Sequence, residues 1–170
     1  ILNNGRDLHA NIREILSGTP EDHLFIPERI EGHWRSLRSV LAGMKQVHAL
    51  ESHVAHSSLA YCGIVDCIAQ FRDKLVLVDW KSSEKPKPVV AMTYDTPLQI
   101  AAYIGAVNED PNYSIKIREG LIVVAYQNGN ICETFFLTEN DVKVAWEKWM
   151  KRLNQYRQQQ ETSGANIKSK

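Results

Sequence analysis

Cys62-Gly63-Ile64-Val65-Asp66-Cys67-Ile68-Ala69-Gln70-Phe71, then Arg72-Asp73-Lys74, then Leu75-Val76-Leu77-Val78-Asp79-Trp80-Lys81: this stretch decides the fold. Both outer runs are rich in β-branched and apolar residues, and the link between them is short enough for a hairpin. The spacing therefore predicts two adjacent strands at the centre of a sheet. Aspartates are out of place there, because Asp is depleted in strands and is almost never fully buried unless paired. Side chains alternate faces along a strand, so Asp79 and Lys81 point one way and Val78 and Trp80 the other. Pairing of the two runs can bring Asp66 beside Asp79. Two carboxylates and one ammonium then converge at a strand end, with the backbone carbonyl of Trp80 between them.

Outward from this centre, helical spacing of Leu8, Ile12, Ile15 and Leu16 predicts a helix over 6–17, stopped by Gly18-Thr19-Pro20. Residues 21–30 read as a connection, and Trp34, Leu37, Val40, Leu41 and Met44 mark a second helix over 31–44. Residues 47–56 alternate loosely. A polar stretch with three prolines covers 82–97, and Leu98, Ala101, Ala102, Ile104 and Gly105 give the next helix a small-residue face ending near Asn108. Residues 115–127 and 131–137 read as strands around the Asn128-Gly129-Asn130 turn. Thr138, with Asp141 three residues on, opens a last helix that fades by about Tyr156, and 158–170 reads as a frayed, flexible tail. The order α-α-β-β-β-α-β-β-α predicts an α/β domain on a mixed β-sheet flanked by helices, rather than a doubly wound parallel sheet.

The 170 residues suit one domain, and 44% hydrophobic with 24% charged residues excludes the disordered, collagen-like and coiled-coil classes. Twenty basic residues balance twenty acidic ones, so any nucleic-acid site must be a local patch. Cys62, Cys67 and Cys132 fit neither a disulfide framework nor paired C-x-x-C metal spacing. The longest apolar run, Leu121–Tyr126, is far too short to span a bilayer, so no membrane partner is expected. The chain opens at Ile1 without Met, which reads as an N-terminal truncation.

Hard oxygen ligands suit Mg²⁺ or Mn²⁺, and a bound cation makes adjacent carboxylates tolerable. With a lysine alongside to orient or deprotonate water and to neutralise developing phosphate charge, the chemistry is that of phosphodiester hydrolysis. The alternative reading has Asp66 and Asp79 capping strand ends while Lys81 pairs with one of them.

The array G-I-V-D at 63–66, D-W-K at 79–81 and Gln99-x-x-x-Tyr103, with Gly5-Arg6-Asp7-Leu8-His9 before it, resembles the PD-(D/E)XK nuclease superfamily in its RecB-like exonuclease branch. The similarity covers roughly residues 5–157. Within that branch, D-W-K-S-S-E-K-P-K-P (79–88), P-L-Q-I-A-A-Y (97–103) and G-L-I-V-V-A-Y (120–126) are most similar to an exonuclease of the mitochondrial matrix that acts on single-stranded DNA. The resemblance implies a restriction-endonuclease-like fold with the nuclease domain at 1–157. It also implies Mg²⁺- or Mn²⁺-dependent hydrolysis of single-stranded DNA from free ends, in mitochondrial DNA replication and maintenance. It assigns His9, Asp66 and Asp79 as metal ligands with the Trp80 carbonyl, Asp66, Asp79 and Lys81 as catalytic residues, and Glu51, Gln99 and Tyr103 as supporting residues. Relatives with an iron–sulfur cluster carry four cysteines, so no such cluster is expected here.

Other arrangements stay open. A lone histidine such as His9 is more often hydrogen-bonded at a helix edge, and Gln99 and Tyr103 share a helix face where simple packing would also place them. His48, His53 and His56 invite a zinc reading, but 53 and 56 point to opposite faces of a strand. Lys85 and Lys87, on a stiff segment alternating with Pro86 and Pro88, could hold a DNA backbone or merely solubilise a loop. The cations of the last helix read as a solvated outer face. As a whole, the chain could instead be an inactive nuclease-like domain that binds nucleic acid or protein, or a hydrolase of small phosphate esters.

Overall fold

The computed structural model describes residues 2–167, and the side chains of 3–162. Helices α1 (Leu2–Leu16) and α2 (Glu28–Gly43) lead into strands β1 (Met44–His56), β2 (Tyr61–Phe71) and β3 (Lys74–Ser83). Helix α3 (Thr96–Glu109) crosses over to β4 (Glu119–Tyr126), followed by β5 (Glu133–Leu137) and α4 (Glu139–Ile167). The five strands lie in the order β1-β2-β3-β4-β5. Only the β3–β4 pair is parallel, because only that connection has a helix to carry the chain back; the other pairs are antiparallel. This is the mixed-sheet α/β fold expected of the chain.

Alternation along the central strands splits the core into two layers. Val76, Val78 and Trp80 of β3 and Leu121 and Val123 of β4 pack with Leu8, Ile12, Trp34 and Leu37 of α1 and α2. Leu77, Ile122 and Val124 pack on the opposite face with Ile100, Ala101 and Ile104 of α3 and Val142 and Ala145 of α4. Gly32 lets α2 lie directly on the β4–β5 turn, since a Cβ there would meet the Gln127 carbonyl oxygen at 1.7 Å. Thr138 and Asp141 form the expected box at the start of α4, with Thr138 N–H donating to Asp141 Oδ2 at 2.9 Å and Asp141 N–H to Thr138 Oγ1 at 3.3 Å.

Several boundaries differ from the sequence reading, β1 beginning at Met44 and β5 at Glu133 among them, and three further differences stand out. Strand β4 starts at Glu119 rather than 115, because the Asn108 side-chain amide takes both backbone groups of Ile117 (2.7 and 2.8 Å) and substitutes for a neighbouring strand. Residues 90–93 within the proline-rich stretch wind into a 3-10 turn. Helix α4 runs on to Ile167 instead of fading at Tyr156, since Gln158-Gln159-Gln160-Glu161 are fair helix formers with no Pro to stop them. Residues 168–170 lie outside the described residues.

Candidate active site

The ladder between β2 and β3 runs from Phe71↔Lys74 to Cys67↔Val78 and stops there. The next rung would join Asp66 to Asp79. Instead Asp66 Oδ2 accepts the Trp80 backbone N–H at 3.0 Å, and the two strands part company. Beyond this point β2 stays paired with β1 through His56↔Tyr61, and β3 stays paired with β4 through Ser83↔Tyr126. The sheet therefore forks, and both aspartates sit in the crotch. Tyr103 of α3 reaches into the gap: a Cβ on Gly63 would meet its ring at 2.4 Å, so glycine at that strand position makes room for it.

Side chains from both layers meet in the fork. From α1, His9 donates Nε2–H to the Trp80 carbonyl at 3.1 Å, which turns Nδ1 toward Glu51 Oε1 at 3.3 Å and Asp66 Oδ1 at 3.8 Å. Glu51 lies on β1, across from Asp66 in register, and has a left-handed backbone (φ 43°). That conformation costs a non-glycine residue roughly 1–2 kcal/mol inside a strand, and here it aims the carboxylate at His9. His9, Glu51 and Asp66 each offer a ligand atom within 4.8 Å of the others.

Asp79 is not one of that trio. Its carboxylate, only 3% exposed as a residue, is drawn to the Lys81 ammonium, whose Nζ lies 2.7 Å from Oδ2. Lys81 Nζ also approaches Gln99 Oε1 at 3.4 Å, and Gln99 Nε2 donates to the Tyr103 hydroxyl at 3.2 Å. Gln99 and Tyr103 thus form a relay that fixes the lysine. Lys87 lines the same concavity as Lys81 and Gln99, its Nζ donating to the Met92 carbonyl at 2.8 Å, and Lys85 N–H donates to Ser83 Oγ at 3.3 Å. Of the three histidines considered for zinc, His56 stacks on Trp146 at 6.0 Å, and the trio of candidate ligands contains none of them.

Burial sets the electrostatics. It pushes the Asp66 carboxyl above the usual carboxylate range, against the pull of His9 and the Trp80 N–H. It pushes Asp79 up to about 6, with the charge of Asp66 adding to the effect and Lys81 opposing it. Desolvated carboxylates around an imidazole nitrogen lack positive charge, and an oxygen-rich set with one nitrogen suits a hard divalent cation. The residues present fit such an ion. The sequence places Glu51 as a supporting residue, whereas the structure sets its carboxylate in one trio with His9 and Asp66.

The PD-(D/E)XK nuclease superfamily profile matches residues 5–167, and the chain belongs to that superfamily. The chain is similar to mitochondrial genome maintenance exonuclease 1 of Xenopus tropicalis, at 42% identity over 161 residues, covering 95% of this chain and 46% of the relative. The Mus musculus protein of that name is 42% identical over 163 residues (95% and 48%), and that of Homo sapiens 42% over 157 residues (89% and 44%). The chain spans less than half the length of these curated relatives.

Proposed function

We propose that this chain carries a nuclease that hydrolyses single-stranded DNA from free ends with Mg²⁺ or Mn²⁺, and that it serves mitochondrial DNA replication and maintenance in the matrix. The observation that carries the reading is the convergence of His9, Glu51 and Asp66 beside the Asp79–Lys81 pair. The names of the relatives support the mitochondrial assignment. Single-strand preference, attack from ends and the matrix follow from the motif resemblance alone.

In this reading His9, Glu51 and Asp66 hold the divalent ion, with Asp79 and the Trp80 carbonyl as further oxygen donors. When bound, the ion polarises a phosphoryl oxygen and acidifies water. Lys81, steered by Asp79 and Gln99, orients the attacking water and sets its positive charge against the extra negative charge of the phosphorane-like transition state. Gln99 and Tyr103 keep the ammonium from swinging away. Water adds to phosphorus as one ester oxygen leaves, so Lys81 acts on charge that exists fully only at the barrier. Lys85 and Lys87 contribute phosphate contacts, each giving a slope of roughly −0.7 in log K against log salt. Replacing both by Ala should flatten the salt dependence by roughly 1.4 units, and an unchanged slope would return them to a solvated loop.

The direct test incubates the chain with end-labelled single- and double-stranded DNA, with Mg²⁺, Mn²⁺ or Ca²⁺. Mononucleotides or short products from single strands with Mg²⁺ or Mn²⁺ but not Ca²⁺ are expected. Binding without cutting under every metal would support the inactive-domain reading instead.

A further inference from the structure

Lys87 leads to a residue that the motifs do not contain. Tyr94 closes the 3-10 turn Val90–Thr93 with φ 56° and ψ −119°, and Asp95 follows with φ −85° and ψ 3°. Those dihedrals are a type II′ turn, whose first central position ordinarily takes glycine because a Cβ there is strained. The turn is well anchored. Thr93 and Thr96 are buried, Thr96 Oγ1 donates to the Thr93 carbonyl at 2.8 Å, and Asp95 pairs with Arg152 of α4 at 2.6 Å.

A tyrosine at such a position needs a reason, and the fold supplies none. The residue is 81% exposed, so its ring gains little from burial to offset the strain. The Lys87 ammonium lies 4.7 Å from the ring centroid. Tyr94 also lines two concavities that share Lys87. One, of about 310 Å³, is walled by Lys85 and Lys87; the other, of about 380 Å³, holds Lys81, Gln99 and again Lys87. A chain of nucleotides with one phosphate at Lys81 would pass over this ring.

We propose that Tyr94 is a base-stacking platform of this nuclease: an unpaired base next to the phosphate placed in the fork lies on its exposed ring face, while Lys87 sits on the ring and meets the backbone. This rests on the nuclease reading above and deepens it by giving the single-strand preference a residue. An aromatic face accepts any unpaired base, so the contact is sequence-tolerant, and base–aromatic stacks of this kind are worth about five- to 150-fold in affinity.

The test exploits the strain. In the Lys81→Ala background with Ca²⁺, fluorescence anisotropy on labelled oligothymidylate should show Tyr94→Gly weakened by about five- to 150-fold, with Tyr94→Trp at parental strength or tighter. The urea midpoint of Tyr94→Gly should be unchanged or higher, because glycine suits the turn. Moving one abasic site along the strand should weaken the parent at a single position and leave Tyr94→Gly indifferent there. Parental affinity in Tyr94→Gly, or an equal abasic response in both proteins, would overturn the platform while leaving the nuclease reading intact if Lys81-containing protein still cuts. If Tyr94→Gly loses stability along with affinity, a structural role explains both and the platform also falls. A parent that neither binds nor cuts DNA overturns both readings.

Discussion

The β3–β4 and β2–β3 pairs belong to one sheet, yet they have been put to opposite uses. β3 and β4 stay hydrogen-bonded for eight rungs, Val76↔Glu119 to Ser83↔Tyr126, and the side chains between are mostly apolar and buried on both faces. β2 and β3 separate after five rungs, at the point where the first aspartate occurs. Where backbone pairs with backbone, side chains are free to be hydrophobic. Where the ladder opens, Asp66 takes a released N–H, His9 takes a released carbonyl, and the charges of the candidate site have somewhere to stand. The continuous ladder supplies stability; the fork consumes some of it in desolvated carboxylates and in the left-handed Glu51.

Substitutions on the two sides should therefore behave in opposite ways. The largest effect is expected in the fork: Lys81→Ala should lower the single-turnover cleavage rate by about two to three orders of magnitude, as removal of one transition-state-stabilising group does elsewhere. Affinity for DNA should be nearly unchanged, and a loss of affinity matching the loss of rate would remove Lys81 from its assigned role. Next comes the ladder, where Ile122→Ala, at a fully buried position, should cost about 2–5 kcal/mol of unfolding free energy by urea titration. The rate per folded molecule should stay close to the parent's.

Asp79→Asn sharpens the contrast by a change of sign. The carboxyl titrates near 6 in the folded, metal-free protein and near the ordinary carboxylate value when unfolded, so the folded state binds its proton more tightly. Stability from this group is present below the unfolded value and is lost as pH rises through about 6. In EDTA at pH 7–8, Asp79→Asn should be more stable than the parent by on the order of 1–3 kcal/mol while losing metal-dependent cleavage. A melting curve showing the variant less stable at pH 8 than at pH 4, relative to the parent, would contradict this. Smallest is Glu51→Gly, which should relieve the left-handed strain and raise metal-free stability by up to about 1 kcal/mol. Glu51→Ala, which keeps the strain, should not, and both should weaken Mn²⁺ binding in a calorimetric titration.

Much of this comparison was legible in the residues. The alternation through Val76–Lys81 gives the strand and places Asp79 with Lys81, and the hairpin link sets Asp66 opposite Asp79. The helices follow from 3.6-residue spacing and from caps such as Thr138 and Asp141. What the sequence hid was the interruption. Nothing in Cys67 or Val78 says that pairing ends there, because the end is set by a side chain of one strand taking a backbone group of the other. Glu51 was underrated because its role depends on a backbone conformation that local propensity disfavours. Tyr94 lies in a proline-rich stretch that composition marks only as a loop. The late start of β4 depends on Asn108 imitating a strand, a contact nine residues away in sequence.

The fork draws His9 from the layer of α1 and Gln99 from the layer of α3, while Asp66 and Asp79 come from strands between them. His9 and Trp80 are 71 residues apart, and His9 and Glu51 are 42 apart. Contacts of such long range close late in folding, after local helices and hairpins. A partly folded chain that has docked only one layer holds only a fraction of the candidate site's groups. The order of folding would thus act as a safety catch for the proposed site, whose groups come together only in the completed molecule.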